Sequence, residues 1–309
     1  METRSIGSLA VSVVGLGCNN FGMRIDAAGT AAVVDAAIDA GINFFDTADI
    51  YGDTQSEQFL GRALAGRRGR VILATKFGMR VDDQRQGARP AYVRQALEDS
   101  LRRLATDHID LYQLHTPDAT TPIADTLAAL DDLVRAGKVR QIGCSNFSAA
   151  QLREAQAAVR AGAARFVSVQ NEYSLLHREP EREVLAECER QGLAFLPFFP
   201  LASGLLSGKY RRGVEPPLDT RLTGTGGLAR RFMTDRNREA AQALAELAAA
   251  RGHSLLELAF SWLLRHRGVA SVIAGATAPE QVRANVAAAG WQLGADDLAA
   301  IDRIAPLAA

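Results

Sequence analysis

The feature that most constrains this chain is a beat. Short apolar runs at 42–45, 71–74, 109–114, 139–143, 166–170, 193–198 and 269–273 alternate with longer helix-like stretches. The helical stretches, 27–40, 56–64, 90–104, 122–136, 149–160 and 180–191, carry apolar residues at three- and four-residue spacing. Their ends carry stop and start signals: Pro90 in a first turn, Gly137 and Gly192 just past a last one, and Ser56 or Thr54 as an N-cap. Adding 13–16 brings the strands to eight. Strand–helix alternation without interruption requires a parallel sheet with right-handed crossovers. Eight such units in 309 residues close into a (β/α)8 TIM barrel more readily than they spread into an open sheet. Segments 4–9 and 11–14 read as an N-terminal β-hairpin turning near Gly7-Ser8. Helices at 237–251, 254–265, 279–288 and 295–304 include extra C-terminal ones. No linker interrupts the beat, so residues 1–309 read as a single barrel domain.

Composition narrows the function classes. Lys plus Arg and Asp plus Glu both number 35, so nothing points to nucleic acid or a membrane surface as partner. Three cysteines, Cys18, Cys144 and Cys188, have no paired spacing of the disulfide or zinc kind. They read as small buried residues. Neither a secretory signal nor an apolar run of membrane-spanning length is present, so a cytoplasmic location is expected. Two long polar segments, 78–89 and 211–233, follow strands and read as loops over a site. Gly15-x-Gly17 lacks the third glycine and helix opening of a dinucleotide fingerprint. Gly224-x-Gly226-x-x-Ala229 follows no strand and reads as a flexible loop.

Barrel enzymes keep their chemistry at the C-terminal ends of the strands. Successive strand ends here offer Asp46 and Tyr51, then Lys76, then His115. Each alone reads as structural: an N-cap, a packing phenol, a rim charge, a capping imidazole. Together they meet at one rim. A phenol has a reference pKa of about 10 and exchanges protons poorly near neutrality. A neighbouring ammonium favours the phenolate and lowers that value. Lys76 can supply the charge, Asp46 can hold Lys76, and His115 can orient a substrate oxygen. The set suits proton donation to an oxygen gaining negative charge, as in carbonyl reduction. A Schiff-base role for Lys76 would need a pocket without a carboxylate partner.

The chain resembles the aldo-keto reductases from about residue 6 to the C-terminus. The resemblance rests on Gly15-Leu16-Gly17, Phe45-Asp46-Thr47-Ala48-x-x-Tyr51-Gly52, Ala74-Thr75-Lys76 and Asp110-Leu111-Tyr112-Gln113-Leu114-His115. Further matches are Gly143-Cys144-Ser145-Asn146-Phe147, Gln170-Asn171-Glu172-Tyr173-Ser174 and Gly275-Ala276-Thr277 with Gln281 and Asn285. The bacterial and potassium-channel β-subunit-like branches look nearest.

That resemblance implies a barrel binding NADPH, less often NADH, in extended form, and an aldehyde or ketone as substrate. By position, Ser145, Asn146 and Gln170 look like carboxamide contacts, with Asp46 near the nicotinamide ribose. Gly17, Cys18 and Asn19 would border the same cofactor. Phe198 stands where the family often has Tyr stacked on the nicotinamide ring. Phe199, Pro200, Leu201, Ala202, Ser203, Gly204, Leu205, Ser207 and Lys209 resemble the loop over the pyrophosphate. Gly275, Thr277, Gln281 and Asn285 look like the adenosine end. Many members carry Lys or Arg at the positions of Ala276 and Gln281, and this chain does not. Arg283 or a residue of the 211–233 loop would have to meet a 2′-phosphate instead. Phe21, Phe77, Tyr112 and Phe147 read as substrate pocket or as core. A second reading, by the same resemblance, is a redox-sensing subunit with weak turnover; the intact His115 favours the enzyme.

Overall fold

A computed structural model describes residues 1–210, 220–223 and 226–307. Two antiparallel strands open the chain, β1 (Thr3–Ile6) and β2 (Leu9–Ser12), joined at Gly7-Ser8. Eight parallel strands follow: β3 (Val14–Gly17), β4 (Phe44–Asp46), β5 (Ile72–Phe77), β6 (Ile109–Leu114), β7 (Val139–Ser145), β8 (Phe166–Glu172), β9 (Ala194–Phe198) and β10 (Val272–Gly275). Their order around the sheet is β10-β3-β4-β5-β6-β7-β8-β9. A bridge between Phe195 and Val269, with the Phe195 amide donating to Gly268 O at 2.8 Å, brings the last edge to the first and nearly closes the barrel.

Helices α1 (Ala27–Asp39), α2 (Gln55–Ala63), α3 (Pro90–Leu104), α4 (Ile123–Arg135), α5 (Ala149–Ala157) and α6 (Val184–Gln191) cover the outside between strands. They begin where the sequence supplies caps. Asp26 accepts from the Gly29 amide at 2.9 Å, and Ser148 with Gln151 forms a reciprocal capping box. The hairpin plugs the barrel's N-terminal mouth: Ile6, Leu9 and Val11 pack on Phe44, Leu111, Leu196 and Ile273. The opposite mouth is left for the site.

The sequence boundaries shift in an ordered way. Strands β5, β7 and β8 run past the ends of their sequence signals, to Phe77, Ser145 and Glu172. Among the added residues Thr75, Lys76, Ser145 and Glu172 are polar yet buried, so hydrophobicity alone could not mark them. The last strand starts at Val272, because Val269 pairs as a single bridge. Helix α6 begins at Val184, after a 3-10 turn at Glu179–Glu181, rather than at Pro180. Neither Thr54 nor Ser56 caps α2: Thr54 makes no capping bond, and the Ser56 hydroxyl lies inward against Thr47 and the Cys18 carbonyl.

The segment 211–233 is not loop throughout. A short helix, α7 (Gly227–Phe232), contains Ala229 of the fingerprint-like run, while Gly224 and the Pro216-Pro217 pair lie outside the described residues. Helices α8 (Asp235–Ala250), α9 (Leu255–Leu264), α10 (Pro279–Ala287) and α11 (Ala295–Ile304) complete the chain. Among the described residues, no helix is long and apolar enough to cross a membrane.

Candidate active site

The polar additions to the strands form the floor of the open mouth. Lys76, at the end of β5, is wholly buried. Its ammonium donates to Asp46 Oδ2 at 2.6 Å and to the Thr47 carbonyl at 2.9 Å, and lies 3.5 Å from the Tyr51 hydroxyl. The other oxygen of Asp46 accepts from Gln113 Nε2 and Gln170 Nε2, each at 3.0 Å. Strands β4, β5, β6 and β8 thus converge on one carboxylate. Tyr51 and His115 meet edge to face, ring centres 5.8 Å apart. The four residues proposed from the sequence are brought together.

Electrostatics set their protonation. Burial opposes the charge on Lys76, but Asp46 and Tyr51 hold its pKa above the usual lysine value. Burial and the neighbouring Lys76 push His115 down to about 3, so the imidazole is neutral at physiological pH. Its Nδ1 is buried without a partner. For Tyr51 burial outweighs the ammonium, and the pKa rises above 10 instead of falling. This corrects the expectation from sequence, which counted the charge and not the desolvation. The phenol therefore keeps its proton near neutrality, and the ammonium beside it favours the phenolate form.

A cavity of about 800 Å³ opens over these groups. Tyr51, His115 and Asp46 line it, with Ser145, Asn146 and Gln170 beside them and Phe198 on the wall. Ser145 donates to the Gln170 carbonyl at 2.7 Å, and Asn146 Nδ2 to the His115 carbonyl at 2.9 Å. Gly17, Cys18, Asn19, Phe199, Pro200, Leu201, Ser203, Gly204, Ser207, Lys209, Gly275, Thr277, Gln281 and Asn285 also line it. Ala202 and Leu205, placed in the same group from sequence, do not line the cavity; they pack into the core. Phe21, Phe77, Tyr112 and Phe147 do not line it and are core residues. The three cysteines are buried and free.

The cavity lining also gathers positive charge. Ala202, Ser203 and Gly204 have consecutive positive φ of 46°, 58° and 103°, a tight turn in which the Ala202 and Gly204 amides donate to the Phe199 and Leu201 carbonyls, each at 2.8 Å. Ser203 Oγ is buried there without a partner. Lys209, Arg24 and Arg221 line the same space. Burial, then Arg24 and Arg221, lowers the pKa of Lys209, and burial with Arg24 does the same for Arg221. Arg221 also donates to Asn20 Oδ1 at 2.8 Å. Like charges gathered in a half-buried space fit a phosphate-bearing ligand. Arg24, Met79 and Arg221 also line the cavity; Met79 and Arg221 lie in the segments 78–89 and 211–233 expected over a site, whereas nothing in the sequence marks Arg24 among 35 Lys and Arg.

Fold, polar floor and cavity together define a barrel with a buried polar site at the C-terminal mouth. The model of the Aldo/keto reductase family matches residues 13–306, and the chain belongs to that family. It is 34% identical to Aldo-keto reductase YhdN of Bacillus subtilis, over 98% of this chain and 93% of that one. It is 35% identical to a probable voltage-gated potassium channel subunit beta of Oryza sativa subsp. japonica, over 93% and 91%. Among solved structures, the holo form of aldo-keto reductase AKR11C1 from Bacillus halodurans superposes with a TM-score of 0.81 at 34% identity, covering 99% of this chain and 96% of that one. The family is one of oxidoreductases that use a nicotinamide cofactor on small carbonyl compounds.

Proposed function

We propose that this protein reduces an aldehyde or ketone to an alcohol with NADPH, and that Tyr51 gives the proton. The observation that carries the reading is the chain Asp46–Lys76–Tyr51, closed at hydrogen-bond distances under the cavity. The cofactor, when bound, supplies the hydride. Tyr51 stays protonated until the substrate oxygen gains charge, then donates, and Lys76 stabilises the phenolate. Neutral His115 holds the carbonyl oxygen by a hydrogen bond, without competing as an acid.

Ser145, Asn146 and Gln170 would hold the carboxamide, and Phe198 offers a ring face to the nicotinamide. The positive-φ turn with Lys209, Arg24 and Arg221 would take the pyrophosphate. Gly275, Thr277, Gln281 and Asn285 would border the adenosine. Thr277 and Gln281 are already tied together, the Thr277 amide donating to Gln281 Oε1 at 2.9 Å.

The test is a titration with NADPH and then NADH, followed by fluorescence quenching, with a panel of aldehydes added afterwards. Tyr51→Phe should lose turnover by about 10²–10⁴-fold while binding the cofactor as tightly as the parent. Turnover retained in that variant removes Tyr51 from the acid role. Failure to bind either cofactor overturns the reading as a whole.

A further inference from the structure

Tyr51 does not sit on a strand. It hangs from the loop after β4, and the loop is laced to β5: the Thr47 amide donates to Ala74 O at 2.9 Å and the Asp49 amide to Lys76 O at 3.1 Å. Asp49 makes the second of these laces itself, two residues before Tyr51. Its side chain is buried, 2% exposed, and neither carboxyl oxygen has a side-chain hydrogen-bond partner, although the Ile50 amide favours its charged form.

The groups that face it come from every neighbouring element. Glu57 of α2 is closest in effect, followed by Arg103 of α3 and Lys76 of β5. Tyr92 of α3 and Tyr112 of β6 feel its charge in turn. The two cations are already committed. Arg103 Nε donates to Glu57 at 2.6 Å, and Lys76 donates to Asp46. Glu57 takes a further bond from Thr75 Oγ1 at 2.5 Å. The Tyr112 hydroxyl is also buried without a partner. An ionised carboxylate in such a place is disfavoured far more strongly than a protonated one.

We propose that Asp49 is a positioning residue for Tyr51 that works as an uncharged carboxylic acid, and that losing its proton loosens the loop carrying the phenol. The inference rests on the reading of Tyr51 as proton donor. Burial and Glu57 place the Asp49 pKa at about 7, whereas His115 titrates near 3 and Tyr51 and Lys76 above 10. A limb near neutrality therefore separates Asp49 from those three groups.

The sign follows from linkage. An aspartate of folded pKa about 7 keeps a proton that the unfolded chain, at about 3.9, has already lost. Its favourable contribution is complete below pH of about 4 and is lost as pH rises through 7. Asp49→Asn keeps the shape and cannot ionise. Its melting temperature should pull ahead of the parent's by about 4 °C between pH 5 and 8 and hold that lead above pH 8. Parallel melting curves at every pH overturn the uncharged acid, whatever Tyr51 does.

The parent's kcat/KM for aldehyde reduction should fall by about fiftyfold between pH 7 and 9, with the limb near 7. Asp49→Asn should hold a flat profile across that range, and Asp49→Ala, which leaves a hole under the loop, should lose kcat throughout. If Asp49→Asn shows the melting effect but keeps the parent's activity limb, the positioning role is overturned while the proton stands. If Tyr51→Phe remains active, the fault lies in the acid assignment, and the melting result is untouched.

Discussion

Lys76 shows what a single buried charge demands. Its ammonium is completely enclosed and survives there because Asp46 lies 2.6 Å away and the Thr47 carbonyl 2.9 Å. Such a pair is weak evidence of net stability, because both ions lose their hydration. Removing one partner is a different matter. Lys76→Met should lower unfolding free energy by about 3–5 kcal/mol, read from urea titration, since Asp46 would be left buried with no cation beside it. Pairing that change with Asp46→Asn should recover part of the loss. A double variant no more stable than Lys76→Met would show that the charge left behind is not the cause. The neutral state of His115 belongs to this scale too, because burial and the same ammonium decide it.

The element that matters most is the short loop from Asp46 to Gly52. It must turn from a buried strand into α2 within a few residues while aiming a phenol at the cavity. Gly52 makes this possible: its φ is +58°, and a Cβ there would meet the Phe21 carbonyl oxygen at 2.4 Å. Both the left-handed backbone and the close approach exclude a side chain. Gly52→Ala should therefore cost about 1–3 kcal/mol in stability and should lower kcat/KM more than it lowers cofactor affinity, because Tyr51 is displaced directly. Equal losses in both would place the damage in the whole cavity rather than in the loop. The turn at Ala202, Ser203 and Gly204 is the counterpart after β9, where three positive φ values bend the chain along the cavity wall.

At the scale of the whole molecule the two mouths of the barrel divide the work. The hairpin closes the N-terminal mouth and is fastened by Arg4, whose guanidinium donates to the carbonyls of Leu264, His266 and Val269 at 2.9, 3.1 and 2.7 Å. Arg4→Ala leaves these oxygens without that donor and should lower stability by about 1–3 kcal/mol. It should leave kcat/KM as it was, since the cavity opens at the other end. A fall in kcat/KM at a temperature where the variant is fully folded would mean that the two ends are coupled.

What the sequence determined by itself was the architecture and the identity of the rim. Strand–helix alternation leaves few topologies, and Asp46, Tyr51, Lys76 and His115 could be named because a barrel brings consecutive strand ends together. Tertiary structure alone decided the electrostatics. The sequence gives Lys76 a charge next to a phenol, but the sign of the Tyr51 shift depends on how much water the fold removes. Asp49 looks like any loop aspartate until its burial and the prior commitment of Arg103 to Glu57 are seen. Arg24 and Arg221, almost two hundred positions apart, join Lys209 at one cavity only after folding. Hydrophobic pattern is a local quantity and survives in the sequence. Desolvation and the meeting of distant charges are properties of the folded interior, and no local pattern encodes them.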